Sequence, residues 1–191
     1  MNSDKLAALV LKDIPAGNIP TITSRGVFPL SRMVDSIAES GDGAFVEIGT
    51  NLGNSARFIA GVLNKLGKNT TLHTFDPNPP DIKVDGVEFH NGLSPIDTVR
   101  FLSTSQPLAF LFIDGCHRPA STMADYCSHL EYMTKDTIVV LDDVRVGDRQ
   151  WGSWATVEYI TKTQGRATLE AYPSDHRLNN ECAWCRIDNP V

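Results

Sequence analysis

Short apolar stretches alternate along the chain with longer stretches in which apolar residues recur every three or four positions. The first pattern is typical of buried strands, and the second is typical of helices that pack one face on a sheet. The predicted strands cover residues 44–49, 70–75, 86–90, 108–113 and 137–141, with two late strands at 167–172 and 182–187. The predicted helices cover residues 31–39, 55–66 and 153–162 and begin at residues 94 and 119.

This alternation predicts an α/β fold: a doubly wound, mostly parallel, seven-stranded Rossmann-like sheet with an antiparallel last strand. No helix separates the two late strands, so we expect them to be antiparallel. Residues 1–40 lie outside the alternation, and we expect an N-terminal segment and helix that cover the active-site side. Within that part, residues 14–30 carry three prolines and are interpreted as a surface segment. Residues 41–191 are expected to form one domain.

Several finer expectations concern helix faces and helix starts. Asn54 or Ser55 is expected to cap the helix at 55–66, and Ser94 the helix that begins there. In the helix that begins at residue 94, the residues predicted to face inward are Ile96, Val99 and Leu102. In the helix that begins at residue 119, they are Ala120, Met123, Cys127 and Leu130.

Composition and charge narrow the functional classes. With 41% hydrophobic residues, 191 residues can bury one core. The net charge is −6, and no basic cluster appears, so we expect no nucleic-acid partner. The N-terminus lacks the apolar core of a signal peptide, and no apolar run could span a bilayer, so we expect a cytoplasmic protein with no membrane partner.

The most informative stretch is the turn after the first strand. It carries the spacing Glu-x-Gly-x-x-x-Gly, from Glu47 through Gly49 to Gly53, and runs into a helix. Glycines there let the backbone approach a ligand that lies against the helix N-terminus. The spacing differs from the Gly-x-Gly-x-x-Gly of dinucleotide enzymes. Ligands of such sheets bind at the carboxyl ends of the strands, where Asp76 is placed to accept hydrogen bonds from ribose hydroxyls.

This stretch resembles the cofactor loop of class I S-adenosylmethionine-dependent methyltransferases, and the similarity spans about residues 40–190. The resemblance implies that residues 41–191 form an S-adenosylmethionine-binding methyltransferase domain with the adenine near Gly92 and Ser94. Ser94 could instead be a plain helix cap. The implied cofactor-binding residues are Glu47, Gly49, Thr50, Asn51, Gly53, Ser55, Asp76, Gly92, Ser94 and Asp114.

Three carboxylates follow two adjacent strands of the predicted sheet. Asp114 ends one strand, and Asp142 and Asp143 end the next. Carboxylates that converge raise one another's pKa, and a bound divalent cation removes this repulsion. Oxygen ligands suit Mg²⁺, and also Ca²⁺ or Mn²⁺. The arrangement resembles the metal-dependent O-methyltransferases related to catechol O-methyltransferase and the sugar O-methyltransferases of macrolide biosynthesis. That resemblance implies that Asp114, Asp142 and Asp143 are the metal ligands.

His117 stands three residues beyond Asp114, where the catechol enzymes carry a lysine that acts as the base. Histidine is a reasonable substitute because its pKa lies near neutrality. His117 and Asp114 are therefore the candidate catalytic residues, although His117 could also be a metal ligand, a hydrogen-bond partner of one, or structural. Asp125 and Asp148 are interpreted as solvated. Residues that could cover a substrate follow the metal pair: Arg145, Arg149 and Trp151.

The function expected from these features is methyl transfer from S-adenosylmethionine to the hydroxyl of a small-molecule substrate, catechol-like or sugar-like. We expect a divalent cation to assist, with Mg²⁺ favoured by the oxygen ligands. Two alternatives stay open: an NAD-type Rossmann oxidoreductase, against which the glycine spacing argues, and a non-catalytic cofactor-binding module. An amino methyltransferase is disfavoured because Asn78-Pro79-Pro80 follows the second strand rather than the fourth. The sequence leaves the oligomeric state open, with a homodimer as one option.

Overall fold

The computed structural model describes residues 1–14, 27–145, 153–164, 167–172, 182–188 and 190–191. The helices are α1 (Ser3–Asp13), α2 (Val27–Glu39), α3 (Asn54–Lys65), α4 (Ile96–Leu102), α5 (Pro119–His129) and α6 (Trp154–Gln164). The strands are β1 (Ala44–Ile48), β2 (Leu72–Asp76), β3 (Val87–Asn91), β4 (Leu108–Ile113), β5 (Met133–Arg145), β6 (Ala167–Tyr172) and β7 (Cys182–Asp188).

The strands form one sheet in the order β3-β2-β1-β4-β5-β7-β6. Strands β1 to β5 pair in parallel, whereas β7 is antiparallel to both β5 and β6. The α/β class and the mostly parallel Rossmann-like sheet with an antiparallel last strand are thus confirmed. The chain runs outward from β1 through β2 and β3 and then returns to β4 on the other side of β1. Strand order therefore reverses between β1 and β4, where open parallel sheets bind their ligands.

Alternate side chains of the central strands point into two separate hydrophobic cores, one on each face of the sheet. Phe45 and Phe110 point to one face, where their rings stack with centroids 5.7 Å apart under helices α1, α2 and α3. Val46 and Leu111 point to the other face and pack with residues of α4, α5 and α6. Successive strand residues face opposite sides, so continuous apolar runs in β1 and β4 serve both faces. None of the described helices is both long enough and apolar enough to cross a bilayer.

The N-terminal part contains more structure than the sequence indicated. Helix α1 was not predicted, and it buries Leu6, Ala7 and Val10 against the first core. The interpretation of residues 14–30 as a surface segment is wrong for residues 27–30, which belong to α2 and include the buried Leu30. Residues 15–26 lie outside the described residues. In α1, apolar residues recur three and four positions apart and form one apolar face. So short a helix is stable only because this face packs on α2 and α3.

Helix α5 presents a different face from the one predicted. Its buried residues are Thr122, Asp125, Tyr126 and His129, whereas Ala120 and Cys127 are exposed. Two of these polar residues are hydrogen-bonded inside the protein. The Nε2 atom of His129 lies 2.9 Å from Oγ1 of Thr98, and Ser94 Oγ donates to Asp125 Oδ1 at 2.6 Å. Hydrogen-bond partners on α4 and on the loop before it offset the free-energy cost of burying these polar groups. The predicted inward face was therefore wrong, because it was chosen from apolar residues alone.

Smaller corrections concern α3 and α4. On α3, Phe58, Ile59, Val62 and Leu63 are buried as predicted, whereas Leu66 is 37% exposed. On α4, Leu102 is buried with Thr98, and Ile96 is exposed. A seven-residue helix has room for few inward positions, and Thr98 occupies one because His129 bonds to it.

Candidate functional site

A cavity of about 810 Å³ opens at the carboxyl ends of β1, β2 and β4. Its size lies within the range of pockets that hold a drug-sized ligand. Eight of the ten predicted cofactor residues line it: Gly49, Thr50, Asn51, Ser55, Asp76, Gly92, Ser94 and Asp114. Glu47 and Gly53 do not. The sheet brings these residues together because parallel strands end at one edge.

The turn after β1 depends on two glycines with positive φ. Gly49 has φ 94°, and a Cβ atom there would lie 2.2 Å from the carbonyl oxygen of Asp114, so only glycine fits between β1 and β4. Gly53 has φ 74° and is the N-cap of α3. The expectation that Asn54 or Ser55 caps this helix is therefore wrong. A cap without a side chain leaves the amides at the helix start open to a ligand.

Asp76 holds this turn in place. Its Oδ2 atom accepts the backbone N–H groups of Thr50 at 3.1 Å and Asn51 at 3.0 Å, and its Oδ1 atom accepts that of Asn78 at 2.8 Å. The sequence indicated only a contact with ribose. A carboxylate has about four lone-pair sites, and three are used here, so Asp76 retains capacity for a ligand hydroxyl.

Glu47 lies beside the cavity, fully buried, rather than in its wall. Its Oε2 atom accepts the hydroxyl of Thr74 at 2.5 Å, and Oε1 is buried without a hydrogen-bond partner among the described residues. Burial raises the pKa of Glu47 to about 7, although the nearby hydroxyls of Ser55 and Thr74 act in the opposite direction. The carboxyl group is thus enclosed next to Ser55, which does line the cavity.

The far end of the cavity is formed by the segment after β3. Ser94 was expected to cap a helix or contact adenine. It does not cap α4, whose N-cap is Pro95, and its hydroxyl instead donates to Asp125. Asp125 was interpreted as solvated, which is wrong, since it is 4% exposed and lines the cavity. Burial raises the pKa of Asp125, while its bond from Ser94 lowers it. A polar stripe at helical spacing, Thr122, Asp125 and His129, was the signal that could have revealed it.

Two of the three predicted metal ligands line the cavity. Asp114 and Asp143 are in its wall, whereas Asp142 is 1% exposed and lies outside the lining. Among the described residues, the three carboxylates do not form a cluster with ligand atoms within 4.8 Å of one another; His73, Glu88 and His90 do. The expectation that all three tips converge is therefore corrected. Asp142 is buried, whereas Asp143, which has a positive φ of 49° at the point where the pairing of β5 with β7 shifts register, is partly exposed and lines the cavity.

His117 is paired with Asp143 in the cavity wall. Their Nε2 and Oδ2 atoms are 3.4 Å apart, and both side chains are partly exposed to the cavity. Asp114 lines the same wall. The structure thus brings both candidate catalytic residues, His117 and Asp114, to one end of the cavity together with Asp143. Arg149, Trp151 and Asp148 lie outside the described residues, as does the side chain of Arg145.

The remaining wall is apolar, and sequence reasoning did not assign it. It is formed by Leu30 and Met33 of α2, Phe58 of α3, Phe75 of β2 and Phe112 of β4. Nothing in the local sequence distinguishes these residues from other core residues, because each is one of many apolar positions in its element. Only the packing of α2 across the strand ends selects them.

Comparisons with known proteins agree with this geometry. The model of the family described as Methyltransferase domain matches residues 46–144, just over half of the chain. No curated protein matches the chain significantly in sequence.

Three solved structures illustrate the similarity of fold. An O-methyltransferase from Bacillus cereus in complex with SAH (S-adenosylhomocysteine) has a TM-score of 0.63 at 16% identity, over 96% of this chain and 90% of that one. MycE methyltransferase from the mycinamycin biosynthetic pathway, in complex with Mg and SAH, has a TM-score of 0.65 at 11% identity, over 100% of this chain and 55% of that one. CalS11, a TDP-rhamnose 3'-O-methyltransferase of calicheamicin biosynthesis, has a TM-score of 0.56 at 14% identity, over 97% and 92%. At these identities the likeness concerns the fold.

Proposed function

The chain belongs to the methyltransferase-domain family, and from that premise we propose that it transfers the methyl group of S-adenosylmethionine to a hydroxyl oxygen of a small molecule, with help from a divalent cation. One observation carries the proposal. The cavity joins a cofactor cradle of turn amides and Asp76 to a wall in which Asp114, His117 and Asp143 meet. A methyl donor and a deprotonating group are needed side by side for this reaction.

The cradle suits S-adenosylmethionine in charge and shape. The cofactor carries a positive sulfonium and an ammonium group, and the cavity is lined by the carboxyl groups of Asp76, Asp114, Asp125 and Asp143. The apolar wall, with Met33 and Phe75, can cover the uncharged parts of the ligand. This support is independent of the family match.

The donor set also suits a hard divalent cation. Asp114 and Asp143 would hold it from the cavity wall, and Asp142 would join them only if its carboxylate turns toward the cavity. Two carboxylates and water are a usual ligand set for Mg²⁺. The MycE structure contains Mg with SAH, which makes Mg²⁺ the first ion to test. S-adenosylmethionine would supply the activated methyl group, and the cation would lower the pKa of the substrate hydroxyl.

The chain's own part is to orient the reactants and to accept a proton. When Nε2 of His117 carries a hydrogen and donates it to Asp143, the lone pair of the ring is on Nδ1. We assign the substrate proton to that atom, since a neutral histidine near pH 7 is a suitable base. Asp143 fixes the tautomer and stabilises the charge that forms on the ring. The cradle places the methyl group in line with the oxygen, and orientation of this kind lowers the barrier.

The experiment that tests this function measures S-adenosylhomocysteine release over an array of catechols, sugars and other vicinal diols, with and without Mg²⁺. Release that depends on an acceptor supports the proposal. Calorimetry with S-adenosylmethionine and with NAD separates it from the oxidoreductase alternative. Tight cofactor binding without turnover on any acceptor would instead favour a non-catalytic binding module.

A further inference from the structure

Three potential metal ligands meet at the edge of the sheet, outside the cavity. His73 belongs to β2, and Glu88 and His90 belong to the edge strand β3. In the parallel register His73 lies opposite Glu88, and Phe75 lies opposite His90. All three side chains therefore project from the face that α4 covers, and their ligand atoms lie within 4.8 Å of one another. The proposed reaction uses none of them.

Two of the three distances between the ligand atoms are close to those around a tetrahedral ion. His73 Nδ1 lies 3.1 Å from His90 Nε2 and 3.5 Å from Glu88 Oε2. An ion that binds nitrogen and oxygen at about 2.0–2.2 Å in tetrahedral geometry keeps its ligand atoms about 3.3–3.6 Å apart. Small movements of side chains would bring the three atoms to equal distances from a common centre.

Hydrogen bonding alone accounts poorly for this arrangement. The Nδ1 atom of His73 faces both His90 Nε2 and Glu88 Oε2, but it can carry only one hydrogen. Only one of these two neighbouring atoms can therefore accept a hydrogen bond from it. Neutral imidazole is the form of histidine that binds metals.

We propose that His73, Glu88 and His90 bind one Zn²⁺ ion, in a site separate from the carboxylates of the cavity. Two imidazoles and one carboxylate suit Zn²⁺ far better than Mg²⁺. Glu88 is 61% exposed, so water completes the coordination on the solvent side. The ion ties β3 to β2 through side chains, and no strand of the described residues pairs with the other edge of β3. The site therefore stabilises the edge of the sheet next to Asp76.

Aromatic rings hold the two histidines in place. The ring of Phe75 stacks on His90 with centroids 4.4 Å apart and planes 10° apart, and that of Phe101 lies 4.3 Å from His73. This apolar surround fixes the two imidazole ligands, which favours binding. The two histidines are thus held at the surface of the core, and Glu88 faces the solvent.

The test is a titration of the protein with Co²⁺, which replaces Zn²⁺ and absorbs visible light intensely when it is tetrahedral. Excess Mg²⁺ is present throughout to occupy any site made of carboxylates alone. We expect one equivalent of Co²⁺ to produce these bands and Zn²⁺ to displace them. His90→Gln and His73→Gln should abolish the bands, and Glu88→Gln should weaken binding at least tenfold. Asp85→Asn, which removes an exposed acidic residue in the turn before β3, should leave them unchanged.

Thermal unfolding gives a second measurement. Zn²⁺ at about 100 times its dissociation constant should raise the unfolding temperature of the wild-type protein by about 5–10 °C. The metal-free His90→Gln protein should unfold near the wild-type temperature and gain nothing from Zn²⁺. If that variant does not fold, Glu88→Gln serves instead, because its side chain is exposed. Absence of tetrahedral bands in the wild type, or equal bands in His90→Gln, would overturn the proposal.

Discussion

The Oδ2 atom of Asp76 accepts the backbone N–H of Thr50 at 3.1 Å. This hydrogen bond ties the end of β2 to the glycine turn after β1, so that one carboxylate organises the cradle and also faces the cavity. Asp76, which was predicted only to contact the ligand, therefore also holds the glycine turn in place. The two roles can be separated by substitution.

Asp76→Ala should weaken S-adenosylmethionine binding about ten- to a hundredfold, because hydrogen bonds to a charged group contribute about 1.5–3 kcal/mol each. Asp76→Asn retains one oxygen acceptor and should lose less. Calorimetric titration measures both. Asp81→Ala, at an exposed position five residues later, is the control and should bind as the wild type does. Unchanged affinity in Asp76→Ala would exclude this carboxylate from the cofactor site.

Glu47 should make the stability of the cofactor-free protein depend on pH. Its pKa is raised from 4.5 to about 7 in the folded state, so the folded protein binds more protons than the unfolded chain between these values. The contribution of Glu47 to the free energy of unfolding is therefore fully present below pH 4.5. Up to about 3 kcal/mol of this free energy is lost as the pH rises through 7. Glu47→Gln, which cannot ionise, should lack this decline.

Denaturant unfolding between pH 4 and 8 measures the effect of Glu47. Only the difference between the wild type and the variant matters, because other groups titrate in both. Glu131→Gln removes an exposed glutamate that is distant from Glu47 in the sequence, and this variant should follow the wild-type curve. Parallel curves for the wild type and Glu47→Gln would show that Glu47 titrates normally.

His117→Gln should lower kcat about 10²- to 10⁴-fold and leave the cofactor affinity unchanged, because general base catalysis contributes that much. Steady-state kinetics provide the measurement. Cys127→Ser, at an exposed position of α5 outside the cavity lining, is the control. A His117→Gln variant that retains the wild-type rate would remove His117 from the reaction.

Removal of the divalent cation should abolish turnover, and Asp143→Asn should do the same while sparing cofactor affinity. The effect of Asp142→Asn distinguishes two cases. A loss as large as that of Asp143→Asn means that the Asp142 carboxylate turns toward the cavity and binds the ion. A small loss means that Asp114 and Asp143 are sufficient. Rates in chelator, before and after Mg²⁺ is restored, measure this, and equal rates in chelator would contradict the metal-assisted step.

The sequence by itself determined the frame of the site. Apolar runs set the strands, and the rule that parallel strands end at one edge placed Asp76 and Asp114 beside the glycine turn. Gly49 was identifiable from the spacing of Glu47, Gly49 and Gly53, whereas its close approach to the carbonyl oxygen of Asp114 became visible only in the structure. These features follow from local geometry and from the handedness of strand connections. They do not require knowledge of which distant residues touch.

Tertiary packing alone decided the rest. It selected the inward face of α5 through the bonds of His129 and Asp125, and it buried Asp142 while leaving Asp143 in the cavity wall. It also brought His73 next to His90, seventeen residues later in the chain. Such contacts depend on strand register and on how helices settle between elements far apart in sequence. The free energy of each contact is shared by both partners, so neither sequence segment encodes it alone.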